Sequence, residues 1–170
     1  FTGTSPSITT QAGTGTKLVY GTQPSNTAAG AAIAPAVTVQ VEDANNNIVT
    51  GSTAAVTIAI GTNPGGGTLS GTKTVNAVNG VATFSTLSID KAGTGYTLTA
   101  TGNSLTSATS NTFDISAGAA SKLVFLQQPS NTAATQTITP AVTVQVEDAN
   151  NNLVSTSTAS VSVAIGTNPN

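Results

Sequence analysis

The chain has 170 residues with four lysines, no arginine, six side-chain carboxylates and a formal net charge of −2, and it lacks histidine, cysteine, methionine and tryptophan. Charged residues make up 6% of it, against roughly 25% in an ordinary soluble domain, so Thr, Ser, Asn and Gln must wet the surface. Four scattered lysines cannot neutralise the phosphates of a nucleic acid or of an anionic membrane, and without cysteine there is neither a disulfide framework nor thiol chemistry.

Residues 1–12 open the chain with "FTGTSPSITTQA", which falls in register with "TSATSNTFDISA" at residues 106–117. They are expected to be the last strand of a preceding unit, or a donor strand. "KLVY" at Lys17 starts a strand that ends or changes sheet between Pro24 and Pro35. In "AVTVQVED", Val37, Val39 and Val41 alternate with Thr38, Gln40 and Glu42; in "AAVTIAIG", Val56, Ile58 and Ile60 alternate with Thr57 and Ala59. That period of two predicts half-buried strands. "GTNPGGGTLSG" precedes no helical pattern, so it reads as a loop and not as a phosphate cradle.

Asn79-Gly80, between "TVNAV" and "VATF", predicts a tight hairpin. Ala82 and Phe84 are followed by Leu87 and Ile89, an odd step that predicts a bulge or bend. "GYTLTAT" offers Tyr96, Leu98 and Ala100, and "NTFDIS" offers Phe113 and Ile115. Nothing along the chain has a helical rhythm, and no apolar run approaches the ~20 residues of a membrane span.

After the linker "ISAGAASK" the pattern starts again. "KLVYGTQPSNTAA" at Lys17 returns as "KLVFLQQPSNTAA" at Lys122, and "AVTVQVEDANNN" at Ala36 returns at Ala141. The offset is 105 throughout, and 35 of the 49 positions in Lys17–Gly65 are identical in Lys122–Asn170. A period near one hundred residues suits a β-sandwich domain. The expected architecture is all-β, a tandem of Greek-key β-sandwich domains. Residues 13–117 form one complete unit and residues 118–170 the first half of a second, completed by further chain or by another molecule.

"KLVYGTQPSNTAAG", "VTVQVEDANNNIVTG", "NGVATFSTLSIDKAGTGYTLTATG" and "SNTFDIS" together resemble the bacterial immunoglobulin-like repeats of invasin- and intimin-type surface proteins. The resemblance spans nearly the whole chain and implies immunoglobulin-like sandwiches in a large surface or extracellular protein. The family's D-x-x-G-N turn stands here as Asp43-Ala44-Asn45-Asn46-Asn47, with asparagine, which also tolerates positive φ, in place of glycine.

Several side chains invite a chemical reading. Asp43, Asn45 and Asn47 match the start of a calcium loop, but Ile48 stands where glycine is needed and Ala54 where glutamate is needed; Leu153 and Ala159 break the second copy in the same way. A plain turn closed by Asx-type hydrogen bonds is expected. Glu42 and Asp43 are adjacent on a strand, so they point to opposite faces and cannot converge on one bond as a catalytic pair. No serine has a base other than lysine near it in a recognised motif.

Lys17, with Asn111 and Asp114 on the last strand, invites the lysine–asparagine crosslink of some bacterial surface domains; a solvated lysine at a unit junction is the expected alternative. The two tyrosines and four phenylalanines are too dispersed for a carbohydrate platform and are assigned to the core. No catalytic, cofactor-binding or metal residue is assigned, no cofactor is expected, and the chain is not expected to be an enzyme. The expected role is a structural repeat of an extracellular or cell-surface bacterial filament, fibre or adhesin stalk, with neighbouring copies of the same repeat as partners. The alternatives are a binding module for a glycan or host receptor, and a strand-donating fibre subunit.

Overall fold

The structure is a computed structural model that describes residues 11–167. The strand expected at residues 1–12 therefore lies, but for its last two residues, outside the described residues. The chain divides into two compact units, Phe1–Ser116 and Ala117–Asn170. The described residues form no helix, and the fold is all-β with several sheets.

In the first unit the strands are β1 (Lys17–Thr22), β2 (Thr27–Ala28), β3 (Val37–Glu42), β4 (Ala55–Ile60), β5 (Leu69–Ser70), β6 (Thr74–Asn76), β7 (Val81–Phe84), β8 (Ser88–Ile89), β9 (Gly93–Tyr96), β10 (Leu98–Gly102), β11 (Leu105–Thr109) and β12 (Phe113–Ser116). Seven of them make one sheet in the order β6-β4-β10-β11-β1-β3-β7. Strand β1 runs antiparallel to β3, with Leu18 opposite Val41 and Tyr20 opposite Val39, and parallel to β11 at Lys17 and Thr106. A three-stranded sheet, β2-β12-β9, and a short pair, β5-β8, complete the unit.

The alternation read from the sequence sorts the side chains as expected. Val37, Val39, Val41, Val56, Ile58, Phe84, Leu98, Ala100, Phe113 and Ile115 share one core, an arrangement consistent with a β-sandwich. Burying each such aliphatic side chain favours folding by roughly 1.5–3 kcal/mol, which makes this core the main source of stability. Tyr96 and Phe113 pack at 6.1 Å between ring centroids.

The Asn79-Gly80 hairpin forms as predicted. Both residues have positive φ, 50° and 77°, and Val78 and Val81 exchange backbone hydrogen bonds of 2.9 and 3.0 Å. At "GVATFSTLSI" the odd step marks a change of sheet: β7 pairs with β3, whereas β8 pairs with β5. "GYTLTAT" is two strands where the alternation suggested one. Tyr96 ends β9, paired with β12, and Leu98 opens β10, paired with β4 and β11.

In the second unit β13 (Ala120–Gln127) pairs with β14 (Thr143–Asp148). Leu123 faces Val146 and Phe125 faces Val144, the register of β1 on β3 moved by 105 residues. The aromatic assignment holds for Tyr20, Tyr96, Phe84 and Phe113, which are buried; Phe125 is exposed, the described residues of the second unit forming the β13–β14 pair alone. Phe1 lies outside the described residues.

Candidate functional site: the duplicated aspartate–asparagine loop

A dense polar cluster follows β3. Its local shape comes from Asn46, whose φ of 65° turns the chain through the left-handed region that asparagine tolerates. Asn46 N donates to Asp43 O at 3.2 Å and Val49 N to Val41 O at 2.8 Å, closing the loop back onto the strand.

The Asp43 side chain is buried inside that loop. Its Oδ1 accepts from the backbone amides of Asn45 and Asn47, each at 2.9 Å. Its Oδ2 accepts from Asn47 Nδ2 at 3.1 Å and from the backbone amide of Gly13 at 2.8 Å. The hydrogen bonds from Asn47 and Gly13 favour the ionised form and hold the carboxyl at about 2, below the ordinary aspartate range.

The second copy repeats the arrangement. Asp148 Oδ1 accepts from Asn150 N at 2.8 Å and Asn152 N at 2.9 Å, and Oδ2 from Asn152 Nδ2 at 2.8 Å and Gly118 N at 2.7 Å. Burial is the largest single influence on this carboxyl and pushes it up, but the bonds from Asn152, Gly118 and Asn150 together outweigh it and bring it down to about 2. Asn151 has φ of 61°, matching Asn46.

Chemically, this is a carboxylate whose lone pairs are already taken by N–H donors. A calcium ion would need those oxygens, together with further oxygen ligands, six to eight in all. The donors around Asp43 instead present positive hydrogens. Among the described residues no group of three or more His, Cys, Asp or Glu side chains gathers around a common point. The loop acts as a clamp that ties the segment entering each unit, at Gly13 and Gly118, to the end of that unit's second long strand.

Lys17 lies beside the clamp. Its Nζ donates to Asn46 Oδ1 and stands 3.7 Å from Glu42 Oε2; Lys122 donates to Asn151 Oδ1 and stands 3.3 Å from Glu147 Oε2. These partly exposed pairs contribute little, in the range of ~0–1 kcal/mol. Asn111 is not brought to Lys17. The ladder places Lys17 opposite Thr106, and Asn111 lies five residues further on, about 16 Å along an extended chain.

Asn111 lies between β11 and β12 and not on the last strand, its N donating to Gln23 Oε1 at 2.9 Å, whereas Asp114 is on β12 and its Oδ1 accepts from Gly95 N at 2.9 Å. In "GTNPGGGTLSG" the Asn63 side chain closes the loop, accepting from Gly67 N at 2.8 Å and donating to Gly67 O at 2.9 Å. Glu42 and Asp43 engage different groups, Lys17 and the loop amides, and do not converge.

The sequence showed the turn but not the clamp. Gly13 takes part through its backbone amide, thirty residues from Asp43, and nearly every residue carries such an amide. The one available signal was the recurrence of "AG" at the same distance before each "VEDANNN". No helix among the described residues is long and apolar enough to cross a membrane. The chain matches no known family model and no curated protein at a significant level.

Proposed function

We propose that the chain is a structural repeat module of an extracellular or cell-surface bacterial fibre or stalk, made of tandem immunoglobulin-like sandwiches and without catalytic activity. The observation that carries this reading is the duplicated clamp. In each unit this polar arrangement engages the unit's own backbone, at the point where the chain enters it, and it recurs after 105 residues. Such a device fixes the entering segment of a unit on that unit's own strand. The strand order supports the immunoglobulin-like assignment: the first strand is antiparallel to β3 on one side and parallel to β11 on the other. The low charge favours close association with neighbouring copies of the repeat.

The test is to prepare chains with two, four and six copies of the 105-residue unit and measure their length by small-angle scattering. A stalk module lengthens by a constant increment per copy. A maximum dimension that does not grow linearly with copy number would refute the reading.

A further inference from the structure

Asn79 alone among the asparagines of the chain is followed by glycine; every other one with a residue after it is followed by a larger side chain. Asn79 and Gly80 form the tip of the hairpin before β7, with φ of 50° and 77°. Asn79 is exposed and Gly80 is buried. Val78 and Val81 close the turn with their own backbone groups. Among the described residues no hydrogen bond engages the Asn79 side chain or the Gly80 amide. Asparagines elsewhere are tied down: Asn46 Oδ1 accepts from Lys17, Asn47 Nδ2 donates to Asp43, and Asn63 closes its loop onto Gly67.

Gly80 also packs tightly against the segment after the Asp43 clamp. A Cβ on it would lie 2.6 Å from Val49 O and 2.9 Å from Ile48 Cγ2. Gly80 O accepts from Val41 N at 2.8 Å, and Val41 O accepts from Val49 N at 2.8 Å. Val41 thus joins the hairpin tip to the clamp loop, and nothing can be added at Gly80 without moving one of them.

We propose that Asn79-Gly80 is a site of spontaneous covalent modification, an isoaspartate-forming hairpin whose conversion unfastens β7 from the clamp loop. The Gly80 amide nitrogen attacks Cγ of Asn79. The N–Cγ bond forms, the Cγ–Nδ2 bond breaks, and the amide proton leaves with Nδ2 as ammonia. Solvent water then opens the resulting cyclic imide at one of its two carbonyls. Opening at Cγ gives aspartate with the backbone restored. Opening at the main-chain carbon routes the backbone through Cγ and lengthens it by one methylene.

Glycine leaves the attacking nitrogen unshielded, because no Cβ stands beside it. The unengaged amide can lose its proton to hydroxide, so the rate rises with pH. A two-residue hairpin turn has a fixed geometry with no slack for another backbone atom. The added methylene therefore draws Gly80 O off Val41 N and parts Val78 from Val81. The reaction needs this hairpin alone, whatever role the repeat serves.

The experiment incubates the full 170-residue chain in mildly alkaline buffer made with heavy-oxygen water. The peptide spanning Asn79 is followed by mass spectrometry, with fragmentation that separates aspartate from isoaspartate. The expected result is loss of ammonia and gain of one labelled oxygen at Asn79 before any other asparagine, Asn103 included, with isoaspartate in excess. Amide exchange at Val41 and Val81 then quickens by on the order of tenfold, as for the loss of one hydrogen bond. A freshly prepared Asn79→Asp variant carries the new charge without the methylene and should keep the parental exchange, since aspartate also tolerates positive φ.

An Asn79 that stays intact in the folded chain would overturn the proposal, whether or not it converts once the chain is unfolded in urea. So would faster conversion at Asn103, or aspartate as the sole product, which marks direct hydrolysis of the side chain. Unchanged exchange in the isoaspartyl chain, or the same quickening in Asn79→Asp, would refute the release of β7.

Discussion

The carboxylate of Asp43 accepts a hydrogen bond from the backbone amide of Gly13 at 2.8 Å, although the two stand thirty positions apart in the chain. Asp148 and Gly118 repeat the bond at 2.7 Å. Replacing Asp43 by alanine leaves the amides of Gly13, Asn45 and Asn47 without their acceptor. Asparagine at this position keeps one acceptor oxygen but turns an amino group toward a donor. Both variants should melt below the parent, with Asp43→Ala the lower, and loss of exchange protection should begin at Gly13. An Asp43→Ala variant that melts with the parent would show that the clamp does not hold the entering segment.

Acid should act through the same carboxyls. Each sits at about 2 in the folded chain, below the ordinary value of about 3.9 expected once unfolded. The unfolded chain therefore takes up these protons first. The clamp's contribution is full above about pH 4 and is lost as the pH falls through about 2. Chemical denaturation between pH 7 and pH 2 should show a flat plateau and then a decline. That decline should be absent from Asp43→Ala, apart from the part contributed by the second unit.

Metal should make no difference. The oxygens of Asp43 already accept N–H groups, so melting in excess chelator and in millimolar calcium should coincide. A rise of several degrees with calcium would mean that the loop opens to bind the ion.

Two buried tyrosines should respond in opposite directions to loss of the hydroxyl. Tyr96 Oη donates to Lys91 O at 2.9 Å, whereas Tyr20 Oη is buried with no hydrogen-bond partner. Burial without a partner also pushes the Tyr20 phenol well above its ordinary pKa. Tyr20→Phe should stabilise the unit by about 1 kcal/mol and Tyr96→Phe should destabilise it by about the same amount. The second copy already has phenylalanine, Phe125, at the position of Tyr20. Denaturant midpoints measured on both variants decide the matter.

Two glycines separate backbone need from tolerance. Gly71 has φ of +95°, and a Cβ there would lie 2.1 Å from Thr86 O. Gly51 has open space around it, and threonine occupies the corresponding position 156. Gly71→Ala should cost at least the roughly 1–3 kcal/mol of a strained backbone position. Gly51→Ala should be neutral or stabilise by up to ~1 kcal/mol. Equal midpoints for the two variants would contradict the geometry.

Burial was readable from the sequence and pairing was not. The valines of "AVTVQVED" and the Asn79-Gly80 hairpin declared themselves through period and turn chemistry. The change of sheet at Thr97 did not, because Tyr96, Leu98 and Ala100 keep the same alternation while their ladder partners change. Strand β11, "LTSAT", leaves no apolar rhythm in the sequence because its side chains are mostly exposed. The Asp43 loop was readable as a turn through Asx chemistry, but its long-range partner is a backbone amide and leaves no side-chain trace.

The parallel pairing of Lys17 with Thr106 also has a consequence for synthesis. The first strand of the unit cannot gain its second neighbour until residue 106 has left the ribosome, 106 − 17 = 89 residues later. At synthesis speeds of up to ~20 residues per second, that leaves the apolar inner face waiting for at least several seconds. The recurring segment Lys122–Gln127 is close enough in sequence to the first strand to take its place wrongly. The positions where the two first strands differ, Tyr20, Gly21 and Thr22 against Phe125, Leu126 and Gln127, are where adjacent repeats can be told apart during this interval.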